Sequence, residues 1–388
     1  MSVFAGVDPL VQRLALRVST AWHRRRRLPS VDWVVGPVEV AGLAHAMRSL
    51  IPSTESDLMY AHPFYAHTYD WIAPNRRTHL GRVVRGPWRL GALIARSKGF
   101  IYLGGVGYLD KLDDGGAFEL GYLKAHGKRV VCYFTGNDIR SPRLSAELEA
   151  QTGEPNFATY LAETGPEFAT ERYEQRRRDI ASSAESFADL IFNADRAQLG
   201  YLTRPSEPFL YFHPDSEITA NFDKFARRSR PVIVHAPSSP VLKGTQLVRA
   251  AIRELRDDGY EFEYVELVRQ SHAEVTAQLR RAHIVLNQFF SEVPGVFGVE
   301  GLAAGCVVVQ RADEHDEPSL PAGSNEAWVV TRHHQVARHL RRLLEDPTSW
   351  EAQARRGVEW VRAHAAASVT GPVLVQKLTA LIEPARDA

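Results

Sequence analysis

Short runs of β-branched and aromatic residues recur along the chain, each separated from the next by an amphipathic stretch or a loop. Read from the N-terminus, the runs are 31–35, 57–61, 100–103, 129–134, 190–193 and 209–212, and a second series comprises 232–236, 261–267, 284–288, 306–310 and 328–331. Strand-length runs alternating with helical patterns predict βαβ units and parallel sheets. Two such series predict an α/β protein of two doubly wound domains. The second series is the more regular: Leu247, Val248, Ala251, Ile252 and Leu255 fall at the spacing of a helix with one face on a sheet, and Gly259 closes it. Between the series, 215–230 is polar, rich in charge and without a period, which predicts a linker. The C-terminal stretch carries two helical patterns, 350–367 and 373–382, with a break expected at Gly371 and Pro372.

Length agrees with this division, since 388 residues exceed what one small core needs. Lys and Arg total 47 against 46 Asp and Glu, so no global positive field exists to hold a polyanion, and nucleic acid is not expected as a partner. The two cysteines, Cys132 and Cys306, each lie inside an apolar run and are expected to be small buried hydrophobes. With no disulfide framework on offer, a reducing compartment is expected, which places the chain in the cytoplasm. No stretch reaches the roughly 18 to 20 uninterrupted apolar residues of a membrane span. A secretory signal is not expected either, because Arg13 and Arg17 interrupt the first apolar stretch and the basic run follows it.

The segment 1–30 combines Leu10, Leu14, Leu16, Val18 and Trp22 with Arg13, Arg17, His23 and the run Arg24 to Arg27. Two readings stand side by side. One is a helix packed on the N-terminal domain with solvated arginines. The other is a basic amphipathic helix on an anionic membrane surface, which would hold the protein at the inner face of the membrane as a peripheral partner.

Candidate chemistry concentrates in the second series. After the run 284–288 come Ser291, Glu292, Val293, Pro294, Gly295, Val296, Phe297, Gly298, Val299 and Glu300. This order puts Glu292 in the loop at a strand's carboxyl end and Glu300 about one turn into the next helix, so that both could point into the crevice where open α/β sheets bind ligands. Pro294 and Gly295 bend the entry, Gly298 is expected to leave room for a ligand, and the helix N-terminus offers N–H groups to a phosphate. A second piece runs from the strand 232–236 through Ser238 and Ser239 to Lys243, Gly244 and Thr245 at a helix start, where an ammonium can join the dipole in neutralising a diphosphate. A lysine at a helix start is also a common solvated surface residue. His333-His334 and Asp113-Asp114 are adjacent pairs of solvated character, so no metal site is expected.

Lys243-Gly244-Thr245 together with Glu292, seven intervening residues, Glu300 and the following Ala-Ala-Gly-Cys-Val-Val-Val resembles the donor half of a retaining GT-B glycosyltransferase of the group 1 (family 4) type, similar to bacterial enzymes of surface-polysaccharide biosynthesis. The resemblance implies two Rossmann-like domains facing across a cleft, a nucleotide diphosphate sugar as donor substrate, no separate cofactor, and a glycan, glycolipid or small-molecule acceptor. It implies that Lys243 holds the diphosphate and acts in catalysis, that Glu300 binds the ribose hydroxyls, and that Glu292 contacts the transferred sugar. Ser238, Gly244, Thr245, Gly295, Val296, Phe297 and Gly298 would complete the donor site. On the N-terminal side, 31–37 followed by Val40, Ala41, Gly42 and a helix 43–50 is similar to the family's first strand, loop and helix, with Gly42 at the reaction centre. The segment 129–140, ending Thr135-Gly136-Asn137-Asp138, is similar to a family strand that ends in a His-Gly-Ser-Asp-like turn. Asp138 is thereby a catalytic candidate, and equally a turn-capping residue. The chain departs from the pattern in three places: Thr135 replaces histidine, the loop before Lys243 has no arginine, and Pro294 stands where relatives acting on surface polysaccharides often have an aromatic before the donor-loop glycine. A nucleotide-sugar epimerase or a catalytically inactive binding subunit on the same architecture are the alternatives. The expected units are 1–30, an acceptor-side domain 31–214 rejoined by a C-terminal helix 371–388, and a donor domain 215–370.

Overall fold

A computed structural model describes residues 7–62, 67–226 and 230–383. The expected segments 1–30, 215–230 and 371–388 therefore fall partly outside the described residues, at 1–6, 227–229 and 384–388. Seven strands form the first sheet: β1 (Val31–Gly36), β2 (Thr54–Leu58), β3 (Trp71–Ile72), β4 (Ser97–Leu103), β5 (Arg129–Tyr133), β6 (Leu190–Asn193) and β7 (Glu207–Pro208). Their order is β3-β2-β1-β4-β5-β6-β7, all parallel. The second sheet comprises β8 (Val232–His235), β9 (Glu263–Glu266), β10 (Ile284–Leu286), β11 (Val307–Gln310) and β12 (Val329–Val330), parallel in the order β12-β11-β10-β8-β9. Both are doubly wound orders. The chain reverses direction across the first sheet between β1 and β4 and across the second between β8 and β10, and such reversal points open a crevice at the strands' carboxyl ends.

Burial explains why these runs are strands. Val232 to Val234, Ile284 to Leu286 and Val307 to Val309 are all buried. A strand covered on both faces reads as a continuous apolar run, and each such side chain contributes about 1.5 to 3 kcal/mol when fully buried. In the first sheet one face packs on the helices His79–Ile94 and Glu171–Phe187 through Leu90, Leu93, Phe100, Val130 and Ile180. The opposite face packs Trp33, Val35 and Val131 on the helices Leu43–Leu50 and Ala367–Ile382 through Met47, Leu374 and Leu378.

Three expectations about the chain's path are corrected. The strand read at 57–61 lies at Thr54–Leu58, because its buried polar residues are satisfied by side chains distant in sequence: Asp70 accepts from the Ser56 amide at 2.8 Å, and Arg89 donates to Asp57 at 2.7 Å. The run 209–212 is not a strand. Phe209, Tyr211 and Phe212 cross from one sheet to the other and are apolar because they pack on both, Phe209 belonging to the cores of both halves. Gly371 and Pro372 do not break the last helix but lie inside Ala367–Ile382. The break comes earlier, where His213 inserts its backbone between Ala365 and Ala367, donating to one carbonyl and accepting from the other amide at 2.8 Å each. Gly371 brings that helix close to Leu50, whose Cδ2 would stand 3.1 Å from an added Cβ.

A joint ties the two halves. Glu317, after β11, is fully buried and accepts the backbone N–H groups of Asp195, Arg196 and Ala197, after β6, at 2.9, 2.9 and 2.7 Å. Arg196 also reaches Asp316 at 3.1 Å.

Candidate functional site

The turn after β8 carries Lys243 to the start of the helix Thr245–Asp257. Gly244 caps that helix with φ +76°, and an added Cβ there would meet Leu247, Phe289 and Phe290 at 3.3 Å, so the turn requires glycine twice over. Lys243 lines a cavity of about 480 Å³ and donates from Nζ to Gln288 Oε1, while the Gln288 amide nitrogen donates to the Val293 carbonyl. One of the three ammonium N–H groups is thus spent on holding the loop after β10. Burial pushes the Lys243 pKa down to about 8, and the Arg140 charge adds to the effect.

Glu300 enters the same cavity from the helix Gly295–Ala303, which follows β10. Lys243, on the turn after β8, and Glu300, on the helix that follows β10, therefore flank the reversal point of the second sheet. Ser238, Val296 and Phe297 line this cavity with them, joined by Leu267, Arg269, Gln270, His272, Val275 and, from the first half of the chain, Ala41 and His62. Apolar walls with a few polar groups at fixed points suit a small-molecule ligand. A second cavity of about 430 Å³ adjoins it and shares Ala41, His272, Val296 and Glu300, and its further walls include Gly42, His45, Ser49, His67, Tyr211, His213 and Glu217. Ala41 between them has φ +53°, a left-handed conformation rare outside glycine and a recurrent mark of functional loops. The N-terminus of the helix Leu43–Leu50 is capped by Glu39, which accepts from the amides of Ala44 and His45 at 3.3 and 3.2 Å.

Other candidates do not face the cavities. Thr245 is buried with its hydroxyl 2.9 Å from His235 Nε2. His235 Nδ1 lies 2.7 Å from the Leu286 carbonyl and must donate to it, so Nε2 accepts from Thr245; burial lowers the His235 pKa to about 4, and the ring is neutral. Gly298 is buried against β10 and β11: an added Cβ would stand 2.5 Å from Asn287 Nδ2 and 2.9 Å from Gln310 Oε1. Its missing side chain serves helix-on-sheet packing and makes no room for a ligand, which corrects the sequence expectation for that residue. Gly295 (φ +64°) donates its N–H to the Tyr211 hydroxyl at 3.1 Å.

Glu292 is buried behind the site, and Arg196 Nε stands 3.7 Å from its Oε1. Burial raises its pKa against the pull of Arg311, Arg196 and Arg140. Asp138 accepts from the amide and hydroxyl of Thr135 at 2.7 and 3.0 Å, so its carboxylate closes the turn after β5. Burial is the main influence on it and raises its pKa. Arg140 from the same turn is buried, donates to the Ala197 carbonyl at 2.7 Å, and has its pKa lowered to about 10 by burial. Its charge adds to the lowering of the Lys243 pKa, but Arg140 lines neither cavity, whereas Arg269 lines the one that Lys243 enters.

Sequence reasoning missed His272, whose Nε2 lies 2.7 Å from Glu300 Oε1. The signal was present: Ser271 and Glu274 form a reciprocal capping box, which fixes His272 as the first residue of the helix His272–Arg281 at the carboxyl end of β9. Among the described residues, Glu154, His333 and His334 bring ligand-type atoms within 4.8 Å of one another, and none of the three lines either cavity.

No protein-family model and no curated protein matches the chain. Solved structures do. The sucrose-phosphate synthase of Thermosynechococcus elongatus is similar over 91% of this chain and 99% of its own, at 12% identity and a TM-score of 0.59. WaaG, a glycosyltransferase involved in lipopolysaccharide biosynthesis, is similar over 90% of this chain and 100% of its own, at 12% identity and a TM-score of 0.50. At this identity the likeness speaks to the fold: two parallel α/β sheets in the GT-B arrangement.

Proposed function

We propose that the chain transfers a sugar from a nucleotide diphosphate donor to a hydroxyl of a glycan, glycolipid or small metabolite, with retention of anomeric configuration. The observation that carries this reading is the convergence of Lys243, from the turn after β8, and Glu300, from the helix after β10, on one cavity at the reversal point of the second sheet. An ammonium and a carboxylate there are complementary to the two polar ends of a nucleoside diphosphate, phosphates and ribose, while Leu267, Val275, Val296 and Phe297 offer apolar walls.

In this reading Lys243 and the N-terminal turn of the helix Gly295–Ala303 stabilise the negative charge that grows on the leaving diphosphate. The field of Arg140 adds to theirs. The acceptor enters through the adjoining cavity beside Gly42, His45 and Ser49. Its oxygen bonds to the anomeric carbon as the bond from that carbon to the diphosphate breaks, and the acceptor's proton passes to a diphosphate oxygen on the same face.

Thermal-shift measurements with UDP, GDP, dTDP, CDP and ADP test the reading first, because a ligand at about 100 times its Kd stabilises the native state by roughly 2.7 kcal/mol. The nucleotide sugar of the stabilising base is then incubated with and without hydroxyl acceptors. Acceptor-dependent release of nucleotide diphosphate is the expected result. Conversion of the free donor without any acceptor would instead identify an epimerase, binding without turnover a binding subunit, and no stabilisation by any of the five would overturn the nucleotide site.

A further inference from the structure

The helix Asp8–Arg24 is amphipathic in the reverse sense. Its fully buried positions are Gln12, Leu16, Ser19 and Thr20, three of them polar. Gln12 donates to the Val83 carbonyl and to Asp110 at 3.1 and 2.8 Å, and Ser19 to the Trp88 carbonyl at 2.7 Å. The contact with the helix His79–Ile94 is close, since an added Cβ on Gly91 would fall 2.4 Å from Ser19 Oγ. The apolar residues are on the outside. Val7, Leu10, Leu14, Val18 and Trp22 are 50 to 65% exposed and recur every three or four residues, which lines them along one stripe about 22 Å long. Leu80 and Trp88 add exposed apolar surface on the neighbouring helix.

Charge in the two segments that carry this stripe is predominantly positive. Residues 7–30 and 76–88 contain ten arginines and a single acid, Asp8, in a chain whose net charge is +1. Arg17, Arg24 to Arg27, Arg76, Arg77 and Arg82 are exposed, and among the described residues none of the ten has a carboxylate within salt-bridge distance. Arg26 stacks on the Trp22 ring at 4.5 Å, which pairs a cation with an interfacial aromatic at one end of the stripe.

We infer that this face docks on an anionic lipid bilayer, the apolar stripe entering the headgroup boundary and the arginines meeting lipid phosphates. The folded half leaves the stripe uncovered, so the stripe does not belong to its core. The arginine rim selects the occupant: a second copy applied face to face would set rim against rim, whereas an anionic surface neutralises it. No helix among the described residues is long and apolar enough to cross a membrane, so the contact is peripheral.

Flotation of the full chain tests this with vesicles of phosphatidylcholine containing about a third phosphatidylglycerol, and with phosphatidylcholine alone. Binding to the anionic vesicles is expected to fall at least about tenfold on the neutral ones and again in about 0.5 M salt, where screening shortens the reach of the arginines. The variant Leu14→Glu/Val18→Glu alters only exposed positions; it is expected to keep the parent's thermal unfolding and lose flotation. Replacing Arg24 to Arg27 by glutamine is expected to remove the preference for anionic vesicles. Three results would each overturn the inference: no flotation of the parent chain, equal flotation of parent and the Leu14→Glu/Val18→Glu variant, or a parent oligomer that this variant dissociates, which would assign the stripe to a protein interface.

Discussion

His272 Nε2 stands 2.7 Å from Glu300 Oε1 on the wall shared by the two cavities. The bond to Glu300 is the largest influence on the imidazole and raises its pKa, burial opposes it, and the charges of Glu300 and Glu217 add to the rise. His272 in turn acts on His67, whose pKa is lowered by burial first and by His45 next. A raised folded value means that the pair's contribution is complete below the ordinary histidine range and is lost as pH rises through the raised value. His272→Ala is therefore expected to flatten the stability curve above about pH 6.5, read by urea denaturation at several pH values. Glu300→Ala is expected to weaken nucleotide binding by about tenfold to a hundredfold, the worth of roughly 1.5 to 3 kcal/mol for hydrogen bonds to a charged group. Unchanged affinity by calorimetry would return Glu300 to a purely structural partnership with His272.

Lys243 sets a second pH dependence, of opposite origin. Burial lowers its pKa to about 8, and only the protonated form attracts a diphosphate. Nucleoside diphosphate affinity is therefore expected to be highest below pH 8 and to fall above it, while affinity for the nucleoside alone stays level. Lys243→Ala should cost the diphosphate about 1.5 to 3 kcal/mol and the nucleoside little. Turnover is expected to persist in EDTA, since Lys243 and a helix terminus supply positive charge at the leaving group. Equal losses for both ligands, or activity that vanishes with chelator and returns with magnesium, would remove Lys243 from that role.

The fold was legible where burial on both faces writes an uninterrupted apolar run, as at Val232 to Val234 and Val307 to Val309. It was not legible in β2, whose buried Ser56 and Asp57 depend on Asp70 and Arg89 far along the chain. The site was legible to the extent that backbone position alone assigns it: Lys243 at a helix start and Glu300 one turn into a helix. Side-chain direction was not. Thr245 lies within a few residues of the cavity and turns into the core because His235 receives its hydroxyl there, and Gly298 lies against Asn287 and Gln310 where a side chain would not fit. Arg140 and His272 were missed because their relevance arises only when separate βα loops meet.

Glu317 is predicted to be the main polar fastening between the halves. Its carboxylate takes three backbone N–H groups from the segment after β6, and from its own segment the Ser319 N–H at 3.2 Å and hydroxyl at 2.6 Å. Glu317→Ala leaves the buried Ala197 N–H without an acceptor at about 1 to 3 kcal/mol and the part-buried donors at less, so a loss of a few kcal/mol is expected in urea denaturation. Glu317→Gln, which keeps one carbonyl oxygen, is expected to lose less. Wild-type stability in the alanine variant would show that water replaces the carboxylate.

The stereochemical prediction follows from where the carboxylates are spent. A backside displacement needs a base aimed at the acceptor hydroxyl. Asp138 closes its own turn on Thr135, Glu39 caps the helix Leu43–Leu50, and Glu292 is buried beside Arg196, so these three are committed elsewhere. Glu300, which does line the cavities, is paired with His272. Of the two cavities, Glu217 lines only the acceptor-side one; in the proposed reaction the diphosphate oxygen leaving beside Lys243 takes the proton, which requires the hydroxyl to approach on the departing face and keeps the donor's anomeric configuration. Proton NMR of the first product formed reads this from the anomeric coupling. An inverted coupling would require a base on the first half of the chain, and Asp138→Asn would then be expected to abolish turnover while leaving nucleotide affinity unchanged.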